Sequence, residues 1–254
     1  MSLDSNRIVL KSTDEIERMR RSGAVMAEVM ELIVAHVAPG VTTGDLDQVA
    51  RRELERRGAK AAFLGMYGFP AALCVSVNEE IVHGIPGRRE LLEGDIVSLD
   101  CGALIGGYYS DMARTVPVGR TDPVSERLIA VAEQSLWAGT EYLVPGLRLG
   151  DMAAEIQRIV EAEGFSVVRD YTGHGIGRHL HEEPKIPNYG RAGQGVRWQA
   201  GMVVCVEPMV NVGTEKTRTR GDKWTVVTAD GKRSAHVENT IAVTAKGPLV
   251  LTRV

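Results

Sequence analysis

The feature that most constrains the fold of this chain is an internal repeat. Residues 37–59 align without gaps on residues 143–165, and five of the seven identities fall on proline, glycine and aspartate. The shared pairs are Pro39/Pro145, Gly40/Gly146, Gly44/Gly150, Asp45/Asp151 and Gly58/Gly164. A long helical pattern precedes each copy, and the first opens on Ser12 and Glu15, which predict a capping box. Each half should therefore hold two helices, the second capped by its aspartate and ended by its glycine.

The repeat continues into segments rich in β-branched residues. Residues 94–103 align on residues 201–210, so that Asp100 falls on Glu207 at the end of an apolar run. Two halves related by an approximate two-fold axis would bring these carboxylates to a central seam. We therefore predict an α/β (α+β) architecture with mostly antiparallel strands and outer helices. The predicted single domain spans residues 1–254, and its halves cover residues 12–118 and 119–250.

Composition narrows the class of protein. The chain has 254 residues, 44% of them apolar and 25% charged, with a formal net charge of −3. This balance argues against a dedicated nucleic-acid or acidic-membrane binder, and no apolar run is long enough to span a membrane. The cysteines are odd in number and widely spaced, which fits neither a disulfide framework nor a thiolate zinc site. We therefore expect a reducing, cytoplasmic location.

Residues 96–116 predict a β-hairpin that carries two aspartates. Two β-rich runs flank a turn near Ile105 and Gly106. Counting outward from a two-residue loop places Asp100 directly opposite Asp111. Opposed side chains on one face lie about 5 Å apart at Cβ. Two like charges at that separation repel, unless a proton or a cation lies between them.

The second half supplies matching acids and an imidazole. Glu207 and Glu238 each interrupt an apolar, strand-like run, where an unpaired charge would be costly. His174 lies in GHGIG, whose glycines allow close backbone approach. Four carboxylates and one histidine can hold two divalent ions, and such oxygen-rich sites favour manganese, iron, cobalt or magnesium over a closed structural zinc site. A two-metal site with open positions for water indicates a hydrolase.

These motifs together resemble the bacterial type I methionine aminopeptidases. The order Asp, Asp, His, Glu, Glu is carried by SLDCGALIGGYYSDMART, GHGIGRHLHEEP, CVEPM and HVENT, and SVNEEIVHGIP is also similar. The resemblance covers nearly the whole chain. It implies the pita-bread fold, with its internal pseudo-two-fold axis, and removal of the initiator methionine from nascent proteins and peptides.

The resemblance also implies a set of metal ligands. The matching residues are Asp100, Asp111, His174, Glu207 and Glu238. They would hold two divalent ions, drawn from cobalt, manganese, iron(II) or zinc, with Asp111 and Glu238 bridging both. A metal-bridging hydroxide would attack the carbonyl carbon of the N-terminal methionine, with Glu207 as ligand and proton shuttle.

Two further histidines and an apolar pocket match the substrate site of that family. His181 would stabilise the developing oxyanion or position the carbonyl, and His83 would hydrogen-bond near the scissile nitrogen. The matching pocket residues are Phe63, Met66, Phe69, Leu180 and Trp224. Many relatives carry cysteine in place of Phe63 and tyrosine in place of Met66 and Phe69. The pocket stays apolar, so methionine still fits, but its shape should differ.

Three histidines lie outside these assignments. His36 is near a helix end and should bond the terminal carbonyls, while His179 matches no family role. His236 is two residues before Glu238, so strand alternation puts both on one face. Contact with the site and ordinary packing both remain open for His236.

Other functions can be built on the same residues. A peptidase that cuts Xaa-Pro bonds, of the prolidase kind, would share all five ligands but usually carries an additional N-terminal domain. A metal-free binding protein on the same fold would be expected to lose ligands, and this chain retains them. The expected partner is the N-terminal methionine of nascent polypeptides, with a weak ribosome contact as a further hypothesis. We expect a monomer with no specific nucleic-acid or membrane partner.

Overall fold

The computed structural model describes residues 8–253. Over that range the helices are α1 Thr13–Ala35, α2 Thr43–Arg56, α3 Pro123–Thr140 and α4 Leu149–Ala162. The strands are β1 Lys60–Ala61, β2 Leu73–Val77, β3 Glu80–Val82, β4 Ile96–Ile105, β5 Tyr108–Pro117, β6 Ser166–Val167, β7 Gly173–Gly175, β8 Glu182–Ile186, β9 Val203–Val206, β10 Met209–Asn211, β11 Thr217–Thr219, β12 Val226–Thr228, β13 Ser234–His236, β14 Glu238–Thr244 and β15 Gly247–Val250. No helix in this part of the chain combines the length and apolar character that crossing a membrane requires.

The predicted ends of the helices are largely present. At the start of α1, Ser12 Oγ accepts a hydrogen bond from the Glu15 amide at 3.3 Å, and Glu15 Oε2 accepts one from the Ser12 amide at 3.0 Å. Gly58 follows α2 with φ 67°, and Gly164 follows α4 with φ 79°. Glycine adopts this left-handed conformation without strain, which is why both helices stop there.

The second helix of each half begins earlier than the sequence predicts. The N-cap residues are Thr42 and Arg148, three positions before the aspartates. Asp45 and Asp151 lie in the first turn, where their carboxylates accept the amide N–H of Thr42 at 3.0 Å and of Arg148 at 2.7 Å. The chain is still extended at both N-caps, so each aspartate stabilises the helix start from inside the first turn.

A nine-stranded antiparallel sheet connects the two halves of the repeat. Its order is β1-β4-β5-β14-β9-β7-β8, with β2 also paired to β4 and β15 to β14. The halves meet where β5 pairs with β14, with Glu238 opposite Ala113 and Asn239 opposite Met112. The predicted mixed architecture with antiparallel strands is thereby confirmed.

The helices cover one face of this sheet. The pair α1 and α2 packs on β4 through a buried cluster that includes Met30, Leu54 and Leu99. The pair α3 and α4 packs on β9 and β14 through a second cluster that includes Ile156 and Ile241. Because side chains alternate along a strand, the neighbours of these core residues point to the opposite face, which is left for the polar groups.

The β4–β5 hairpin differs from the predicted register by two residues. Its turn is Gly106–Gly107, with φ of 58° and 81°, and Ile105 pairs with Tyr108. Two positive φ angles suit a two-residue turn whose twist matches the strands, and a β-branched Ile105 could adopt neither. Asp111 therefore lies opposite Gly102 rather than opposite Asp100. The shift is even, so both aspartates remain on one face as diagonal neighbours.

Candidate metal centre

The five predicted ligands converge on the face of the sheet that the helices leave free. Four different strands and one strand end position them. Asp100 lies in β4, Asp111 in β5, His174 in β7 and Glu238 at the start of β14, while Glu207 directly follows β9. Residues far apart in the sequence thus meet at the seam between the halves.

His174 lies between the carboxylates of the two halves. Its Nε2 is 3.7 Å from Glu207 Oε1 and 4.0 Å from Asp111 Oδ2. Its Nδ1 lies 2.9 Å from the backbone oxygen of Gly175, so a neutral ring that donates there turns the Nε2 lone pair toward the acids. Asp111, His174 and Glu238 each offer a ligand atom within 4.8 Å of the others, with Cys205 in the same group.

The polar groups of this cluster fit a divalent cation. Asp100 Oδ1 and Glu238 Oε1 are buried and have no hydrogen-bond partner. A buried acceptor without a partner loses the free energy of its hydration and gains no hydrogen bond, and this cost is larger for a carboxylate than for a neutral group. A cation among these oxygens would compensate both, and carboxylate with imidazole is a donor set that divalent transition metals accept.

Burial changes the proton affinity of every group in the cluster. It raises the pKa of Asp111 to about 7. It also raises the pKa of Asp100, Glu207 and Glu238 well above the usual range, and repulsion between the acids adds to the effect. Burial lowers the pKa of His174 to about 4, with repulsion from His181 second. The cluster therefore favours protonated acids and a neutral imidazole until a cation replaces the protons.

The two predicted substrate histidines lie beside this cluster. The His181 ring meets the His174 ring edge to face with centroids 4.5 Å apart. His83 follows β3 with φ 61°, an uncommon angle for a residue with a side chain, and packs edge to face against Tyr171. Burial lowers the pKa of His83 to about 4 and that of His181 in the same direction, so both rings are neutral at pH 7.

One cavity of about 1270 Å³ contains the cluster and the predicted pocket. Its wall includes Phe63, Met66, Phe69, Leu180 and Trp224 as well as the two histidines and all five predicted ligands. Phe69 and Trp224 meet edge to face with centroids 5.1 Å apart. The cavity thus joins an apolar compartment to a polar floor, which suits a side chain such as methionine next to a reacting amide.

Sequence reasoning missed several residues of this cavity. Tyr67 stacks over His181 with centroids 6.4 Å apart and is 83% exposed, and its φ of 49° is set by a loop that no pattern predicts. Cys74 lies opposite Asp100 in the β2–β4 pairing and lines the same cavity. Lys11 reaches the wall from the segment before α1. Alternation along β2 could have indicated Cys74, but nothing local indicated the other two.

Of the three remaining histidines, only His236 contacts the cluster. His36 Nδ1 lies 2.7 Å from Leu32 O at the end of α1, as predicted for a terminal carbonyl. His179 is exposed. His236 is buried beside the cluster, with Nε2 3.6 Å from Glu207 Oε2, so contact with the site rather than ordinary packing is the outcome.

Comparisons with known proteins agree with this geometry. The model of metallopeptidase family M24 matches residues 17–245. A methionine aminopeptidase of Clostridium perfringens is 51% identical over 245 residues, which are 96% of this chain and 98% of that protein. The crystal structure of methionine aminopeptidase from Rickettsia prowazekii superposes with a TM-score of 0.96 at 40% identity, covering 97% of this chain and all of that one.

The fold and the site together define a metal-dependent exopeptidase. The chain belongs to metallopeptidase family M24, among the methionine aminopeptidases. The resemblance seen in its motifs is thereby confirmed.

A more distant similarity bears on the proline-specific alternative. The prolidase of Pyrococcus horikoshii OT3 superposes with a TM-score of 0.76 at 20% identity, and this chain covers 63% of its length. Such a likeness shows a shared fold and carries no substrate with it. The pita-bread fold that the resemblance implies is common to both groups and is confirmed.

Proposed function

We propose that this chain removes the N-terminal methionine from nascent proteins and peptides by metal-dependent hydrolysis. The observation that carries the proposal is the convergence of three buried carboxylates, the partly buried Glu207 and His174 on one side of an apolar cavity. Asp100, Asp111, His174, Glu207 and Glu238 would hold two divalent ions, the number that the resemblance implies. When bound, these ions would polarise the scissile carbonyl and activate a water molecule.

The residues of the site divide the remaining work. Glu207 is our candidate for the group that takes a proton from water and returns it to the leaving amine, because its carboxylate is held at the cavity wall. Its backbone oxygen accepts a hydrogen bond from Asn188 Nδ2 at 3.0 Å, which fixes the chain at this point. Asp111 is oriented by its own backbone, since its amide donates to Thr240 Oγ1 at 2.9 Å. A fixed carboxylate loses little entropy when it binds a cation.

The two neutral histidines would orient the substrate. We assign His181 to the carbonyl oxygen and His83 to the region of the scissile nitrogen, with the methionine side chain among Phe63, Met66, Phe69, Leu180 and Trp224. A neutral imidazole can donate one hydrogen bond without bringing a second charge next to the cations. The aromatic rings of Phe69 and Trp224 suit the thioether sulfur, which makes favourable contacts with ring edges.

The experiment that tests this function compares two peptides. Chelator-stripped protein is supplied with manganese, cobalt, iron(II) or zinc, and release of the first residue from Met-Ala-Ser is measured beside an Ala-Pro peptide. We expect cleavage of the methionine peptide alone, and its loss in Asp111→Asn. Cleavage of the proline peptide alone would assign the chain to the prolidase kind. No cleavage with any ion, in protein that is folded by circular dichroism, would favour a binding protein.

We further propose that the chain works as one monomeric catalytic domain in the cytoplasm. The pairing of β5 with β14 makes one sheet of both halves, which supports a single domain. Cys74, Cys101 and Cys205 are buried and free, which supports a reducing compartment. A weak contact of surface basic residues with the ribosome is part of the same proposal, and co-sedimentation with ribosomes at low salt tests it.

A further inference from the structure

A further imidazole, that of His236, lies beside the five-residue cluster. His236 ends β13, two residues before Glu238, and is 1% exposed. Its Nε2 is 3.6 Å from Glu207 Oε2 and 3.9 Å from Glu238 Oε2. Neither of its ring nitrogens has a hydrogen-bond partner. Burying an imidazole with both nitrogens unpaired costs folding free energy. A group that binds both the ring and the two neighbouring carboxylates would compensate for this cost.

The distances around His236 match those around His174. His174 Nε2 lies 3.7 Å from Glu207 Oε1 and 4.0 Å from Asp111 Oδ2. Glu207 thus presents one oxygen to each of the two imidazoles. Ligand atoms that bind one ion at about 2.0–2.2 Å stand roughly 3–3.5 Å apart, so both rings need only a small inward shift. By these distances alone, His236 is as well placed to bind a metal ion as His174.

A direct hydrogen bond between His236 and Glu207 does not explain the arrangement. An N–H donor and a carboxylate oxygen bond at about 2.7–3.2 Å, and the separation here is longer. The backbone of His236 is also fixed on both sides. Its amide donates to Thr115 Oγ1 at 2.8 Å, and its carbonyl oxygen accepts from the same hydroxyl at 2.7 Å. The ring is therefore held at this position by the sheet and not by the acid.

We propose that His236 is a sixth metal ligand, which completes the coordination of a divalent ion together with Glu207 and Glu238. These three residues form a group whose ligand atoms all lie within 4.8 Å of one another. The inference rests on the proposed metal centre and adds a second nitrogen donor to it. Imidazole suits zinc and iron better than it suits magnesium or manganese. His236 should therefore bias the centre toward the former ions.

The test measures metal binding directly. Zinc and manganese affinities of chelator-stripped protein are compared by calorimetric titration among the wild type, His236→Gln and the control His179→Gln, which alters an exposed histidine outside the cluster. We expect His236→Gln to lower zinc affinity at least tenfold and manganese affinity clearly less, and to change the visible absorption of the cobalt-loaded protein. His179→Gln should match the wild type in all three.

Each outcome decides one question. Unchanged zinc affinity and cobalt absorption in His236→Gln would overturn the role of His236 and leave the metal centre intact. An equal loss of zinc and manganese affinity, with an unchanged cobalt spectrum, would have the same meaning. A wild-type protein that binds no metal would refute the proposed centre itself. If His236→Gln fails to fold, a crystal structure of the zinc-loaded wild type decides. A distance of about 2.0–2.2 Å from His236 Nε2 to zinc supports the proposal, and a distance beyond 3 Å overturns it.

Discussion

At the scale of single residues, Phe63 gives the cavity its particular shape. Its ring lies against the backbone of β4, where a Cβ added to Gly102 would come within 3.0 Å of Phe63 Cε1 and 2.8 Å of Ala62 Cβ. The absence of a side chain at Gly102 therefore makes room for the ring. Phe63 is nearly buried and also lines the cavity, so it contacts both the core and the proposed methionine pocket.

Phe63→Ala should separate these two contributions. We expect the free energy of unfolding to fall by about 3 kcal/mol, at the lower end for buried phenylalanine, because one side of the ring faces the cavity. We expect kcat/KM for Met-Ala-Ser to fall about tenfold through lost contact with the methionine side chain. Urea denaturation and steady-state kinetics measure the two effects.

The matched control for this residue is Phe63→Leu. Leucine keeps most of the apolar volume, so it should cost less than half as much stability and leave kcat/KM within about threefold. If Phe63→Ala loses stability but retains full kcat/KM, the ring belongs to the core alone and not to the methionine pocket.

The candidate site was predictable partly from single residues and partly from the resemblance of whole motifs. All twelve residues named from the sequence line one cavity. Asp100, Glu207 and Glu238 stood out because each ends or interrupts an apolar run, Asp111 through the hairpin, and His174 because glycines flank it. His83, His181 and the pocket residues were implied by the resemblance of whole motifs. Tyr67 and Lys11 could not be found this way, because their positions depend on a left-handed loop residue and on a long-range contact. For His236 the two-residue spacing gave its face but not the absence of partners around its ring.

At the scale of elements, the sequence pattern of the β4–β5 hairpin determines its strands and their faces but not its register. The run of β-branched residues and the glycines predicted two strands and a tight turn correctly. The exact turn depended on which residues tolerate positive φ. The turn is therefore Gly106–Gly107 and not the predicted pair Ile105–Gly106. The faces of Asp100 and Asp111 were nevertheless correct, because a shift of two residues preserves alternation.

The loop between β7 and β8 depends on a salt bridge from the segment before α1. Lys11 Nζ donates to Glu182 Oε2 at 2.6 Å, and the side chains are only 4% and 9% exposed. Glu182 Oε1 accepts a further hydrogen bond from the His179 amide at 3.1 Å. Since His181 directly precedes Glu182, this contact holds the loop that carries a proposed substrate histidine.

Lys11→Met should therefore impair both stability and turnover. It leaves a buried carboxylate without its partner, for which about 3 kcal/mol is expected. Freedom of His181 should lower kcat for Met-Ala-Ser about tenfold, while zinc affinity changes little because no ligand is touched. Thermal unfolding, kinetics and titration calorimetry check these three statements.

Two controls accompany this variant. Lys11→Met combined with Glu182→Gln removes the unpaired charge and should recover most of the lost stability. Arg158→Met removes a pair of similar length on the exposed face of α4, 2.7 Å from Glu155, and should cost less than about 1 kcal/mol. Equal losses of stability in Lys11→Met and Arg158→Met would mean that burial of the Lys11–Glu182 pair does not increase its contribution to stability.

At the scale of the whole molecule, the repeat accounts for the gross architecture. Two helix pairs cover one face of the sheet, and the proposed metal ligands lie on the other face at the junction of β5 and β14. Repeated Pro, Gly and Asp positions predicted this plan because they end and start elements. The two small sheets, β13-β10-β6 and β11-β12-β3, were not predicted, since strands of three residues or fewer carry too little periodicity.

The pH dependence of stability should report on the whole cluster. In the metal-free fold, burial raises the pKa of the four carboxyl groups, that of Asp111 to about 7. The folded state then holds protons that the unfolded chain releases near pH 4, so this contribution is complete below about pH 4 and is lost as pH rises through the folded values. Burial lowers the pKa of His83 and His174 to about 4, which has the opposite sign. Burial also lowers the pKa of His181 and His236, which adds to this histidine contribution. It is lost as pH falls through about 6.5 and is nearly constant only above about pH 7.5.

Between about pH 7 and 8 the carboxyl groups therefore dominate the pH dependence of stability. In chelator-stripped protein, the melting temperature should fall as pH rises through this interval. In zinc-loaded protein it should stay level or rise, because the ion replaces the protons and binds more tightly as fewer must be displaced. Asp111→Asn without metal should show a shallower fall, since one of the titrating groups is gone. A melting temperature of the metal-free protein that is flat or rises over this range would mean that the acids are already ionised without a cation, and the seam between the halves would then tolerate their charge by itself.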